Sequence, residues 1–273
     1  MKTIFLLLKA FVDKYFPFAA RAYRFLKSER YDYVEPKLTP MGFKLNGDKV
    51  MEKGNFEPLE TELLLKILKR IDILINVGAN IGYYVCIAAH SGKRVVAFEP
   101  LPQNVKFLLR NVKENNWSDL VEIYPIALGD KISIAELYGS GTGASLLEGW
   151  AGVSNQYKTF IPVSTMDLIL HKRFSDELKA IIIDVEGFEY EVLKGAKSFL
   201  QSKQKSIWIV EIQTEAHQPG KIIINPNLLK TFDLFFSEGY EAYTIEDNPK
   251  KVTREIIESI MISEKSTFTI HNF

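Results

Sequence analysis

The sequence predicts an α/β fold: a mostly parallel, doubly wound sheet with helices packed on it, preceded by an N-terminal helical extension. Three observations carry this. From Pro58 onward, short apolar runs of strand length alternate with longer stretches of helical periodicity. One run, Ile73-Leu74-Ile75-Asn76-Val77, leads into the glycine turn Gly78-Ala79-Asn80-Ile81-Gly82 and a helix with Val85, Ala88 and Ala89 at helical spacing. A second, Lys93 to Pro100, reads as a buried strand ending in the carboxylate of Glu99.

Strand, glycine turn and helix N-terminus together form a crevice for a nucleotide or cofactor. The helix presents free N–H groups, and Gly78 lets a ligand approach the backbone. Glu99 follows Gly78 by twenty-one residues, close to the ~20-residue offset at which an acid meets ribose hydroxyls. The nicotinamide fingerprint G-x-G-x-x-G fits poorly, because its later glycines fall on Asn80 and Tyr83. That mismatch points to S-adenosylmethionine rather than NAD.

The 273 residues suffice for one large α/β domain with a small extension. Lysine plus arginine balance aspartate plus glutamate at 34 each, so no general attraction to nucleic acid is encoded. Cys86 is alone, which excludes a disulfide within the chain, and the four histidines show no metal-ligand spacing.

Taken in order, Ile4 to Leu8 is apolar but too short to span a membrane, with Lys9, Asp13 and Lys14 interrupting. Phe5, Leu8, Phe11, Val12, Tyr15 and Phe16 line one face of an amphipathic helix, followed by basic Arg21, Arg24 and Lys27. A helix packed on the domain is the favoured reading; the rival is peripheral membrane contact. The expected location is the cytoplasm, with membrane association under the rival reading. Residues 1–55 are read as extension and connector, with a hairpin through Asn46-Gly47-Asp48, and 56–273 as the domain.

Pro58 opens a helix lined by Leu59, Leu63, Leu64, Ile67 and Leu68, and Pro102 another with Val105, Leu108, Leu109 and Val112 buried. Leu120 to Ala127 is the third strand and Ile132 to Tyr138 a fourth, at the sheet edge. Gly139 to Gly152 breaks the rhythm as a glycine-rich loop, either a lid over the site or a linker, with the lid the favoured reading. A short helix from Asp167, the strand Ala180 to Asp184, and a helix carrying Phe188, Val192, Ala196 and Phe199 follow. A strand from Ser206 to Glu211, a helix near Asn227 to Ser237, a strand Tyr240 to Ile245, a helix near Thr253 to Ile262 and a strand Thr267 to His271 complete the chain.

Ligands of parallel α/β sheets collect at the carboxyl ends of strands, where Asn76, Glu99, Asp184 and Glu211 stand. Asp184, Glu186 and Glu189 form the densest acidic cluster. Mutual repulsion raises one pKa, which suits a general base; the same oxygens could hold a divalent cation.

At these residues the sequence resembles the FkbM family of S-adenosylmethionine-dependent methyltransferases. The matching blocks are Val77 to Tyr84, Ala97 to Pro100, Ala127 to Asp130, Val163 to Asp167, and Ile183 to Glu189 with Leu193 to Ala196. The resemblance runs from about Phe56 to the C-terminus. It implies a Rossmann-like class I methyltransferase fold ending in an antiparallel strand, and O-methylation of a hydroxyl on a sugar, glycan or other small metabolite. Carried over, Gly78, Ala79 and Asn80 face the methionine part of the cofactor, Glu99 the ribose, and Ile126 and Ala127 the adenine. Asn76, Gly82 and Pro100 complete that set, and Asp184 and Glu186 border the transferred methyl. Asn76 stands where the family usually has aspartate, and Ile182 where it has lysine. The alternatives are a metal-dependent nucleotide-sugar transferase using Asp184 and Glu186, and an inactive cofactor-binding protein. The first leaves the Gly78 turn and Glu99 without a role.

Overall fold

The computed structural model describes residues 34–153, 155, 158–268 and 271–273, so the face expected from Phe5 to Phe16 lies outside the described residues. A small antiparallel hairpin comes first, β1 (Lys37–Leu38) and β2 (Lys44–Leu45). Its turn runs from Thr39 to Phe43, where the Thr39 N–H donates to Phe43 O at 2.8 Å. The Asn46-Gly47-Asp48 stretch does not make this turn. Asp48 Oδ1 instead accepts from the N–H groups of Val50 (2.7 Å) and Met51 (3.1 Å), capping α1 (Lys49–Glu52). In α2 (Pro58–Leu68), Pro58 occupies the first turn, and Leu64, Ile67 and Leu68 are buried.

Strands and helices then alternate: β3 (Ile73–Val77), α3 (Tyr83–His90), β4 (Arg94–Phe98), α4 (Pro102–Glu114) and β5 (Val121–Tyr124). Helix α4 buries Val105, Leu108 and Val112 as expected, but Phe107 joins them and Leu109 faces solvent. The chain next leaves the sheet for β6 (Ala127–Leu128), β7 (Ser133–Tyr138), β8 (Lys158–Ser164) and α5 (Met166–Ile169). It returns with β9 (Lys179–Ile183), α6 (Glu189–Lys194), α7 (Lys197–Leu200) and β10 (Ile207–Val210). The remaining elements are α8 (Leu228–Phe236), β11 (Ala242–Tyr243), β12 (Lys251–Val252) and α9 (Arg254–Ser263).

The central sheet is parallel, in the order β10-β9-β3-β4-β5. From β3 the chain builds outward to β5 on one side, then crosses to β9 and β10 on the other. This reversal opens a crevice at the carboxyl ends of β3 and β9. The C-terminal residues run antiparallel beside β10. Val210 and Phe273 exchange N–H···O bonds of 2.9 and 3.1 Å, and the Ile212 N–H donates to His271 O at 2.6 Å. The fold is therefore Rossmann-like, with the C-terminal residues bridged antiparallel to the end of β10 in place of a full closing strand.

Alternation along the strands explains why the sheet is buried on both faces. Ile73, Ile75 and Val77 face the core shared with α6, α8 and α9, while Leu74 faces the one shared with α2, α3 and α4. Full burial of one such side chain contributes about 1.5–3 kcal/mol.

β7 does not sit at the edge of this sheet, as expected for a fourth strand. It joins a separate three-stranded sheet of order β6-β8-β7. Nothing in the sequence pattern marks β8, whose run holds Pro162. The proline is tolerated because β6 pairs only with Val163 and Ser164, leaving Pro162 a single neighbour, Ile134 of β7.

Candidate active site

A cleft opens at the strand ends, with Gly78, Asn80, Glu99, Pro100, Asp184 and Glu186 on its walls and Ile126 and Ala127 on its apolar side. The Gly78 and Ala79 N–H groups both donate to Phe98 O at 2.9 Å, and the Asp184 N–H donates to Val77 O at 3.0 Å. Three strand ends are thereby drawn together. Gly78 has φ 81°, and a Cβ there would sit 1.7 Å from the Asp184 carbonyl oxygen, so only glycine fits.

Three expected residues do not line the cleft. Asn76 is buried inside β3, and its Oδ1 has no partner. Ala79 belongs to the core under α2 to α4, and Gly82 sits at the N-cap of α3 against Leu108.

Glu99 is more committed to the protein than its sequence position suggests. Its Oε2 accepts from the Asn80 N–H at 2.7 Å, and its Oε1 from the Leu101 N–H at 2.9 Å and Asn104 Nδ2 at 3.3 Å. A carboxylate offers about four acceptor positions, so one remains, on Oε2. Burial raises its pKa against the opposing pull of these donors. The donor set fits S-adenosylmethionine: a buried acid with spare acceptor capacity, a bare glycine backbone and an apolar wall at Ile126 and Ala127.

The loop from Gly139 to Gly152 covers this cleft, with Gly141, Thr142, Ala144 and Leu146 in its lining. It is tied down at several points. Asn104 Nδ2 donates to Gly141 O at 3.2 Å, and Ser145 Oγ to Glu186 O at 2.6 Å. The buried Trp150 donates its indole N–H to Glu186 Oε2 at 2.8 Å. Its ring lies flush on Gly187, where a Cβ would fall 2.5 Å from the ring.

Beyond Asp184 lies a second group of acids. Burial, then the neighbouring Glu211 carboxylate, raises the Asp184 pKa well above the ordinary range. Glu57 joins them from the N-cap of α2, where its φ is 40°. The Tyr84 hydroxyl donates to Glu57 Oε2. Burial pushes the Glu57 pKa up to about 7, the Tyr84 bond opposes this, and Glu211, Glu60 and Glu186 add to it. Glu57 and Tyr84 were not foreseen: a lone glutamate before a helix-starting proline carries no motif, although it departs from the usual N-cap residues. Glu189, by contrast, is buried and accepts from the Gly187 N–H at 2.9 Å, which gives it a structural duty. Among the described residues, no three His, Cys, Asp or Glu side chains are placed to hold one metal ion.

A family model for the methyltransferase FkbM domain matches residues 76–259. The chain belongs to the FkbM methyltransferase family. Within this FkbM domain fall the glycine turn, Glu99, Asp184, Glu186 and Glu211; Glu57 lies outside it. A curated relative, the hexuronic acid methyltransferase AglP of Haloferax volcanii, is 29% identical over 140 residues, covering 51% of this chain and 56% of that protein. The chain thus spans little more than half the length of that relative. Among solved structures, the FkbM methyltransferase of Methylobacillus flagellatus aligns at 20% identity and a TM-score of 0.37, covering 52% of this chain and 32% of that one. An RNA methyltransferase of Salinibacter ruber in complex with S-adenosyl-L-homocysteine aligns at 17% identity and a TM-score of 0.32, covering 57% and 75%.

Proposed function

We propose that this FkbM domain is an S-adenosylmethionine-dependent methyltransferase that acts on a hydroxyl of a sugar or glycan. One observation carries the reading: the Gly78 turn, the buried Glu99 and the Asp184–Glu186 pair open on one cleft at the point where the sheet reverses. When bound there, S-adenosylmethionine supplies an electrophilic methyl group. Glu99 keeps one acceptor position for the ribose, and Ile126 and Ala127 give the adenine an apolar wall. The chain's main task is to hold the acceptor oxygen in line at the Asp184 end of the cleft.

The acceptor proton needs a destination. Asp184 lines the cleft, and its carboxyl, whose pKa burial and the neighbouring Glu211 raise, can take the proton of the acceptor hydroxyl. The named acceptor of the Haloferax relative supports the sugar class. Calorimetry with S-adenosylhomocysteine, with and without Glu99→Ala, tests the cofactor half. Transfer of a labelled methyl group to a panel of glycosides tests the acceptor half. Absence of any cofactor binding by the folded chain overturns the reading.

A further inference from the structure

We propose that Asn104 is a positioning residue that couples cofactor binding to closure of the Gly139 to Gly152 loop, its one amide holding Glu99 and Gly141 together. The inference rests on the methyl-transfer reading above and adds to it the step by which an occupied cofactor site shuts.

Asn104 stands in the first turn of α4, lines the cleft and is only 4% exposed. Its Nδ2 carries two hydrogens. That nitrogen donates to Glu99 Oε1 at 3.3 Å and to Gly141 O at 3.2 Å. Both partners are acceptors, so the amide must turn its nitrogen, and not its oxygen, toward them. Asparagine meets the demand with a single atom. A serine hydroxyl has one hydrogen to give, and an ionised aspartate has none.

Both ends of the bridge are held. Pro102 opens α4, and the Leu101 N–H donates to the same Glu99 Oε1 at 2.9 Å, so helix start and acid move as one. On the loop side, Gly141 has φ 65°, and an added Cβ would meet nothing within 4 Å. Glycine there serves the left-handed backbone and not a lack of space. Thr142, Ala144 and Leu146, which line the cleft, follow at once. The loop's fastenings through Ser145 and Trp150 run to Glu186 and bypass Glu99.

The coupling follows from charge. Glu99 Oε1 accepts from Leu101 and Asn104 together, which favours the ionised acid, while burial favours the neutral one. A ribose hydroxyl at the position left on Oε2 is one more donor and shifts the balance toward the ionised form. That form draws in Asn104, and the same amide then fixes Gly141. Linkage makes the effect reciprocal: a closed loop orients the amide, steadies the acid and tightens the cofactor by the same factor.

The test measures hydrogen exchange of residues 141–144 in the full chain, without ligand and saturated with S-adenosylhomocysteine, beside calorimetric affinity. The ligand should slow exchange in the wild type. In Asn104→Ser that extra slowing should shrink by at least about fivefold, the lower end for coupled sites, and affinity should fall by a similar factor. Gly141→Ala strains the same bond from the loop side with α4 untouched, and should behave alike. Ser145→Ala cuts a fastening to Glu186. It should speed exchange in both states and keep the full extra slowing. Extra slowing of wild-type size, or unchanged affinity, in folded Asn104→Ser overturns the proposal; if that variant does not fold, Gly141→Ala decides in the same way. Equal loss of the extra slowing in Ser145→Ala overturns it too. Failure of the wild type to bind S-adenosylhomocysteine at all is a separate result. It removes the methyltransferase reading, and this inference falls with it.

Discussion

At the scale of single residues, the site depends on carboxylates whose surroundings differ. Glu99 holds the N–H groups of Asn80 and Leu101 as well as Asn104. Glu99→Ala should therefore weaken S-adenosylhomocysteine binding by about 1.5–3 kcal/mol and also lower stability by about 1–3 kcal/mol for each N–H left buried and unpaired. Calorimetry and urea unfolding on one preparation check both. Asp184→Asn removes the proton-accepting carboxylate but keeps the shape. Turnover should fall roughly 10²–10⁴-fold with cofactor affinity nearly intact, and chelators should leave the wild type active. Glu189 supplies a pH test. Its folded pKa is pushed up to about 8 by burial, from an ordinary value of 4.5. The folded state then binds more protons than the unfolded state between those values. The resulting stability is fully present below 4.5 and lost as pH rises through about 8, at roughly 1.4 kcal/mol per unit. Melting temperatures across that window should fall less steeply for Glu189→Gln than for the wild type.

At the scale of elements, the loop from Gly139 to Gly152 and the strands beneath it are the parts to test. The loop is fastened through Ser145 and Trp150 to Glu186. We expect its amides to exchange faster without ligand than with S-adenosylhomocysteine and acceptor bound, and Trp150→Ala to raise exchange in both states. Equal protection in all four samples would remove the lid. The buried strands of the central sheet were legible because each is a short apolar run with a turn at its end. β8 was not, since Pro162 and an exposed face hide it. The hairpin was legible but its turn was not: Asp48 is a good turn residue and a better helix cap. Of the site, Gly78, Glu99 and Asp184 announced themselves by position at strand ends. Glu57 did not, because its acidic neighbours Glu186 and Glu211 stand more than a hundred residues away along the chain, and no local spacing encodes that. Asn76 and Gly82 carry motif letters yet serve the strand and the helix cap.

At the scale of the whole molecule, we propose that the folding unit starts before residue 56. Phe43, Leu45 and Met51 are buried in the core under α2 to α4. The side-chain amides of Asn111 in α4 and of its C-cap Asn115 fasten the backbone of Asn46 and Lys44 by paired bonds of 2.7–3.0 Å. We therefore propose that a chain beginning at residue 34 melts cooperatively and binds S-adenosylhomocysteine, while one beginning at residue 56 is markedly less stable; calorimetric melting of both checks this. No described helix is long and apolar enough to cross a membrane. The indole of Trp150 has a further bearing on traffic through the enzyme. Its N–H donates to Glu186 Oε2, and Glu186 lines the cleft. We infer that a loop fastened there slows the departure of spent donor, so that release and not the bond exchange limits the cycle.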